Sequence, residues 1–271
     1  MGGVGIFLPV LIGCAFFCDT SAFLTRALMG GMLMLLVGVW DDIKPCRPSV
    51  KLAAQILAAA VGCGRGWSMS TAFAILWVVA LANAHNFIDG MDGLFAGCAV
   101  TESLFLAGTL SLVGHSSLVL PTLLIASACL AFRHYNHHPA RVFAGDCGSA
   151  TVGYLFGVLS LPLFYEMQWQ AGWLTPLFLF AYPLTDLFTA VTRRVLRGKS
   201  PFEADRAHLH HRLYAAGLDQ RMCSAVLILI SAMLSLVGIW LCTGQNLLAA
   251  SLSCVLAASV LCEIGGVIYS A

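Results

Sequence analysis

The stretch after Arg221 constrains this chain more than any other feature. Residues 222–262 carry no charged side chain, and only Glu263 follows. A helix of about 20 apolar residues crosses the hydrocarbon of a bilayer. The run is too long for one crossing and is broken near its middle by Thr243-Gly244-Gln245-Asn246, a turn sequence. It therefore reads as two spans, 223–242 and 246–264. Apolar stretches earlier in the chain predict further spans at 4–18, 27–40, 52–64, 71–87, 94–113, 117–133, 149–165 and 173–191. The spans at 27–40 and 52–64 are short for a bilayer, and Arg26 and Arg65 extend them by snorkelling. Composition agrees, with 59% hydrophobic and 10% charged residues against about 45–50% and 25% in soluble domains. The expected fold is all-α: a polytopic integral membrane protein of about ten transmembrane helices in one domain, 1–271, without linker or internal repeat. This excludes a secreted domain or a large soluble module. A net charge of +1 points to no nucleic acid. The opening Met1-Gly2-Gly3-Val4-Gly5 has no basic region or cleavage site, so no signal peptide is read. The cysteines lie mostly in apolar runs without C-x-x-C spacing and read as small hydrophobes.

The scarce charges are not scattered. Of the 14 Lys and Arg, only Arg26 and Arg65 fall at one end of the predicted spans; the rest mark the other end as cytoplasmic. Ten spans then place both termini there. Four polar segments share that end. The first is Trp40-Asp41-Asp42-Ile43-Lys44-Pro45, ending in Lys51. The second is Asn83-Ala84-His85-Asn86-Phe87-Ile88-Asp89-Gly90-Met91-Asp92-Gly93. The third is Arg133 to Ser149, with Phe143-Ala144-Gly145-Asp146. The fourth is Arg193 to Arg221, with His208-Leu209-His210-His211. Carboxylates at a membrane face are costly unless solvated, paired or bound to an ion. Asp41, Asp42, Asp89, Asp92 and Asp146 together call for a compensating cation. Oxygen ligands suit Mg²⁺, which keeps waters and substrate phosphates in its shell. The basic fourth segment suits phosphate. Acids for a metal and bases for phosphate point to phosphoryl transfer at a membrane face.

Each segment also has a plain structural meaning when read alone. A DD pair ends a helix in solvent, and Gly145-Asp146 caps a helix. The two glycines of the second segment make a tight turn. A basic loop satisfies the positive-inside rule or binds anionic lipid, and three histidines can hold zinc. Four such segments at one end favour the chemical reading. Glu102, inside a predicted span, is expected to be neutral or hydrogen-bonded to a neighbouring helix. Phe87 and Phe143 are expected to pack rather than to stack on a base.

In order, the motifs DD, NxxNFxDGxDGL, FxGDxGS and RR-RG-KSPF-xxDRxHLHHRL resemble the polyprenyl-phosphate N-acetylhexosamine-1-phosphate transferases, along nearly the whole chain. The HLHH form looks closer to the N-acetylglucosamine-1-phosphate branch than to the muramoyl-pentapeptide branch. Pro139 to Phe143 looks like members that initiate O-antigens of lipopolysaccharide. The resemblance implies a Mg²⁺-dependent enzyme, with Mn²⁺ as a substitute. It would move an amino-sugar 1-phosphate from a UDP-amino sugar, such as UDP-GlcNAc, to undecaprenyl phosphate and release UMP. The setting would be the cytoplasmic face of the bacterial inner membrane, the assembly a homodimer, and the product the start of a cell-surface polysaccharide. By motif position, Asn86 and Asp146 match the metal residues. Asp41 and Asp42 match the acidic pair that handles the lipid phosphate, and Asp89 and Asp92 match the catalytic acids of the second motif. His208, His210 and His211 match the histidine motif near the nucleotide diphosphate. Arg194, Arg206 and Lys51 complete the phosphate-binding set. Family members carry one more span before the Gly-Gly segment, so the chain is expected to lack it. The alternatives are a polytopic transporter, which would hold its polar residues near the midplane, and an inactive truncated relative acting as a scaffold.

Overall fold

A computed structural model describes residues 2–19, 21–64, 69–166, 172–198 and 218–243. Among them every regular element is helical. Helix α1 covers Gly2–Phe17, α2 Ala22–Ile43, α3 Pro48–Cys63, α4 Met69–Ile88, α5 Leu94–Leu112, α6 Ser116–Asn136 and α7 Asp146–Glu166. A 3₁₀ turn at Gly172–Leu174 leads into α8 (Thr175–Leu179), α9 (Ala181–Leu196) and α10 (Gln220–Thr243). Six of these helices are long and apolar enough to cross a bilayer, and α1 and α3 are shorter apolar helices. The chain is thus an all-α, multi-pass membrane protein. The second predicted polar segment falls between α4 and α5 and the third between α6 and α7, and the two meet at one end, where Asp92 contacts His138 and Ala140. The start of α1 joins the same end, where Gly2 N donates to Phe143 O and Gly3 N to Ala144 O, each at 3.1 Å. That end is called the motif end below.

Helix α7 is the axis of the bundle. Its spanning window is 89% buried, and α1, α2 and α4 pack around it. Helices α5 and α6 pair with each other, and α10 covers α5 and α8. Leu8, Ile12, Met29, Leu36, Leu57, Leu76, Leu130 and Leu229 remain exposed, as a lipid-facing surface requires. At the centre, bare backbone allows close approach. A Cβ on Gly38 would lie 2.6 Å from Cys147 N, and one on Gly3 would strike the Cys147–Gly148 peptide. Small residues at such crossings let helices gain contact where lipid removes the hydrophobic drive. The nine described cysteines are free thiols.

Two expectations change and one is not reached. The span predicted at 27–40 belongs to a 22-residue helix that includes Arg26, Asp41 and Asp42. Ser21 caps its start by accepting from Leu24 N at 3.1 Å. The span predicted at 173–191 is not one helix: it breaks at Phe180, between α8 and α9. Pro183 is the reason, because it has no N–H for the carbonyl four residues earlier, Leu179 O. The Ser235 hydroxyl of α10 donates to that carbonyl instead, at 2.8 Å. The span predicted at 246–264 lies outside the described residues.

Replacing Ser235 tests this repair. Ser235→Ala is expected to strand the Leu179 carbonyl and to destabilise the fold by about 1–3 kcal/mol, read as a lower thermal midpoint in detergent. In a Pro183→Ala background, where residue 183 regains an N–H, the loss should shrink.

Candidate active site

The last turn of α2, the first turn of α3, the end of α4 and the start of α7 meet at the motif end. Each arrives for a local reason. The Asp41-Asp42 pair ends α2, and Lys44 N closes the helix on Trp40 O at 2.8 Å. Pro48 starts α3, its fixed φ suiting a first helical position, and puts Lys51 in the first turn. Gly145, at φ +69°, turns the chain so that Asp146 begins α7. A Cβ there would sit 2.6 Å from Asp42 Oδ2, so the turn needs glycine for both conformation and room.

Asp41, Asp42 and Asp146 offer carboxylate oxygens that lie within 4.8 Å of one another. The Lys51 ammonium sits between two of them, 2.6 Å from Asp41 Oδ2 and hydrogen-bonded to Asp146 Oδ2. Asp41 Oδ1 also accepts from Cys46 N at 2.7 Å. Asp42 Oδ1 accepts from Asp146 N at 3.0 Å, satisfying one of the free amides at the start of α7. Asn86 joins from α4, donating through Nδ2 to Asp146 Oδ1 at 2.9 Å and to Ser149 Oγ at 3.1 Å. A positive charge already held by two carboxylates, in a set of hard oxygen donors, fits a divalent cation such as Mg²⁺. Asp41, Asp42 and Asp146 are the residues that would hold it, with Asn86 tied to Asp146 through its amide nitrogen. A cleft below Lys51, lined by Met34, Val37, Gly38, Ala54 and Gln55, continues from the acids along α2 and α3.

Asp89 stands beside this cluster. Its Oδ2 accepts from Gly145 N at 3.0 Å, and its Oδ1 is buried without a partner. Burial pushes the carboxyl up to about 8; the Gly145 amide opposes this, and the charges of Asp146 and Asp42 add to it. Asp92 does not join the group. It accepts from Ala140 N at 3.0 Å and lies 2.8 Å from His138 Nδ1. With Arg133, His137, His138 and Arg221 it lines a separate cavity of about 320 Å³. Asp92 is therefore placed to tie the turn of the second motif to the segment after α6. Asn136 makes a second tie, accepting from Gly93 N at 3.1 Å and donating to Val142 O at 3.0 Å.

Arg194 of α9 is buried with its guanidinium 5.1 Å above the Phe87 ring, so it buttresses α4 beside the site. Phe87 is half-buried under it, and Phe143 is exposed. Arg206, His208, His210 and His211 lie outside the described residues. Sequence reasoning missed Ser149, His138 and Asn136, which act through hydrogen bonds to motif residues. Ser149 sits inside the GDxGS motif and was the one most open to notice.

The comparisons with known proteins agree with this geometry. The glycosyl transferase family 4 profile matches residues 24–163, which contain α2 through most of α7 and all the clustered acids. A Bacillus subtilis protein named "Probable undecaprenyl-phosphate N-acetylglucosaminyl 1-phosphate transferase" is 34% identical over 257 residues, covering 87% of this chain and 71% of that protein. The decaprenyl-phosphate N-acetylglucosaminephosphotransferase of Mycobacterium tuberculosis H37Rv is 30% identical, covering 82% of this chain and 66% of its own length. The undecaprenyl-phosphate alpha-N-acetylglucosaminyl 1-phosphate transferase of Thermotoga maritima is 29% identical, covering 88% and 75%. The chain thus spans about two thirds to three quarters of the length of these relatives. The profile match and the Bacillus similarity run through the residues that build the acidic cluster, and on that ground the chain belongs to glycosyl transferase family 4.

Proposed function

We propose that this chain, as one membrane-embedded transferase domain, moves N-acetylglucosamine 1-phosphate from UDP-GlcNAc to undecaprenyl phosphate. The setting is the cytoplasmic face of the bacterial inner membrane, and the product starts a cell-surface polysaccharide such as an O-antigen or wall polymer. The observation that carries this reading is the convergence of Asp41, Asp42 and Asp146 around the Lys51 ammonium. In the reaction, an oxygen of the lipid phosphate bonds to the β-phosphorus of the donor. The bond from that phosphorus to the bridging oxygen breaks, and UMP leaves with the electron pair. The acceptor is already an anion at neutral pH, so no base is needed to activate it. The barrier is the approach of two anions, which preorganised positive charge lowers. A bound Mg²⁺ would supply charge neutralisation for the phosphates. Lys51 provides a second cation that can pass from carboxylate to phosphate. Asn86 and Ser149 fix the orientation of Asp146. The exposed apolar flanks of α2 and α3, with Leu36 and Leu57, would let an isoprenoid tail stay in lipid while its phosphate reaches the acids.

The test is organic-phase transfer of labelled sugar phosphate by the purified chain in detergent, with UDP-GlcNAc, undecaprenyl phosphate and Mg²⁺. Label in the lipid, dependent on Mg²⁺ and accompanied by UMP, is the expected result. No transfer by a folded preparation overturns the reading, and solute uptake into proteoliposomes without transfer establishes a transporter. A panel of UDP-amino sugars fixes the donor, and native mass in detergent reads the homodimer.

The Asp89 carboxyl adds a pH signature. Below pH about 8 it holds a proton in the folded chain, and a cation arriving beside it favours the ionised form. Mg²⁺ binding at pH 7 is therefore expected to release protons, seen by calorimetry in buffers of different ionisation enthalpy. Release should fade above pH 8 and vanish in Asp89→Asn. Without metal, the folded chain binds more protons than the unfolded between the ordinary carboxyl value of 3.8 and about 8. This group's contribution to stability is then present at low pH and lost as pH rises through that window.

A further inference from the structure

Below the acids, the interior of the bundle holds a polar group that the transfer reaction does not use. His85 and Glu102 are both fully buried, on α4 and α5, with His85 Nε2 2.7 Å from Glu102 Oε2. His85 Nδ1 lies 2.9 Å from Leu81 O. A carbonyl only accepts, so Nδ1 carries a hydrogen and a single further proton lies between Nε2 and Oε2. The other carboxyl oxygen, Glu102 Oε1, accepts from Ser231 Oγ of α10 at 3.0 Å. The imidazole is flanked by the rings of Phe156 and Phe180, at 5.1 and 6.1 Å. Every polar atom of the pair is thus satisfied inside hydrocarbon, where an unpaired acid or imidazole would be costly.

The location gives the group its meaning. Helices α4 and α5 flank the turn that carries Asp89 and Asp92, yet they hardly pack on each other. Helix α4 leans on α7 and α3, and α5 on α6 and α10. The bond from His85 to Glu102 bridges the two, and His85 immediately precedes Asn86, whose amide orients Asp146.

We propose that His85 and Glu102 are positioning residues, a buried strut that sets the separation of α4 and α5 and so holds the Asn86–Gly93 segment in register with Asp146. The kinetic arm of the test rests on the transferase reading above; the exchange arm does not. Glu102→Leu and the shorter Glu102→Asp remove the span between the helices. Glu102→Gln keeps it, because the Gln amide donates to His85 Nε2 and its carbonyl accepts from Ser231. In full-length protein in detergent, the first two are expected to lower kcat on the order of 10²-fold, the cost of a displacement near 1 Å. KM for both substrates should stay unchanged, and hydrogen exchange across residues 86–93 should rise. Glu102→Gln is expected to keep kcat and exchange near wild type. The strut is overturned if the Leu and Asp variants fold with wild-type exchange across 86–93, or if Glu102→Gln loosens that segment as much as they do. Should Leu fail to fold, the Asp and Gln pair decides alone. Should wild type transfer no sugar, the transferase reading fails while the exchange comparison still judges the strut.

Discussion

Asp146→Ala is expected to lower sugar-phosphate transfer on the order of 10³-fold, the scale seen when one preorganised electrostatic group is removed from a reaction centre. Two partners meet on this side chain, the Lys51 ammonium and the Asn86 amide, while the backbone N–H of the same residue donates to Asp42 Oδ1. Without its carboxylate, the remaining acids of the cluster come from α2 alone and can no longer enclose a cation from two sides. The fold should survive, because an acid in the first turn of a helix contributes only about 0.3–1 kcal/mol through the dipole. A 10³-fold rate loss corresponds to about 4 kcal/mol of transition-state stabilisation. The expected signature is therefore a near-complete loss of kcat with a thermal midpoint close to wild type. Asp146→Asn, which keeps size but loses the charge and one of the two acceptor oxygens used by Lys51 and Asn86, should be as inactive as Asp146→Ala. Full activity in either variant overturns the assignment of the cluster.

How much of this site the sequence carried depends on the physics behind each residue. Asp41, Asp42, Asp89 and Asp146 stood out because a carboxylate is rare and costly near hydrocarbon, so each had to lie at a membrane face with a partner. That argument says nothing about which acids meet. Lys51 reaches Asp146 across 95 residues of sequence, and Asp92 turns instead to His138. The first follows from how α3 meets α7, the second from how the turn between α4 and α5 meets the segment after α6, and motif spacing encodes neither. The break at Phe180 had its signal in Pro183, but the predominantly apolar character of 173–191 outweighed it, because hydropathy counts side chains and not backbone donors. Glu102 was legible as a hydrogen-bonded intramembrane acid, while its partner was not. His85 was read as part of the second motif, and only the antiparallel course of α4 and α5 brings it opposite Glu102. The spans themselves were the most secure reading, since hydrocarbon permits few alternatives to a helix.

The crossing of α2 and α7 predicts a large effect from a single methyl group. Gly38 lies one turn before Asp41, and a Cβ there would sit 2.6 Å from Cys147 N and 3.0 Å from the Asp146 carbonyl carbon. Backbone cannot move aside as a flexible side chain does, so Gly38→Ala must push α2 away from the start of α7. Overpacking of this kind costs typically about 1–3 kcal/mol, and the thermal midpoint should fall accordingly. Catalysis should suffer more, because the displacement acts directly on Asp41 and Asp42, and misplacement by about 1 Å costs on the order of 10²-fold. The charge, the donors and every motif residue remain in Gly38→Ala, so a loss of activity would come from spacing alone. Gly5→Ala provides the contrast. Nothing lies within 4 Å of a Cβ at Gly5, which is exposed in α1, and alanine is the better helix former by about 1 kcal/mol. That variant should keep full transfer and lose no stability. If Gly38→Ala is as active and as stable as Gly5→Ala, the close crossing of α2 and α7 does not hold the acids in place.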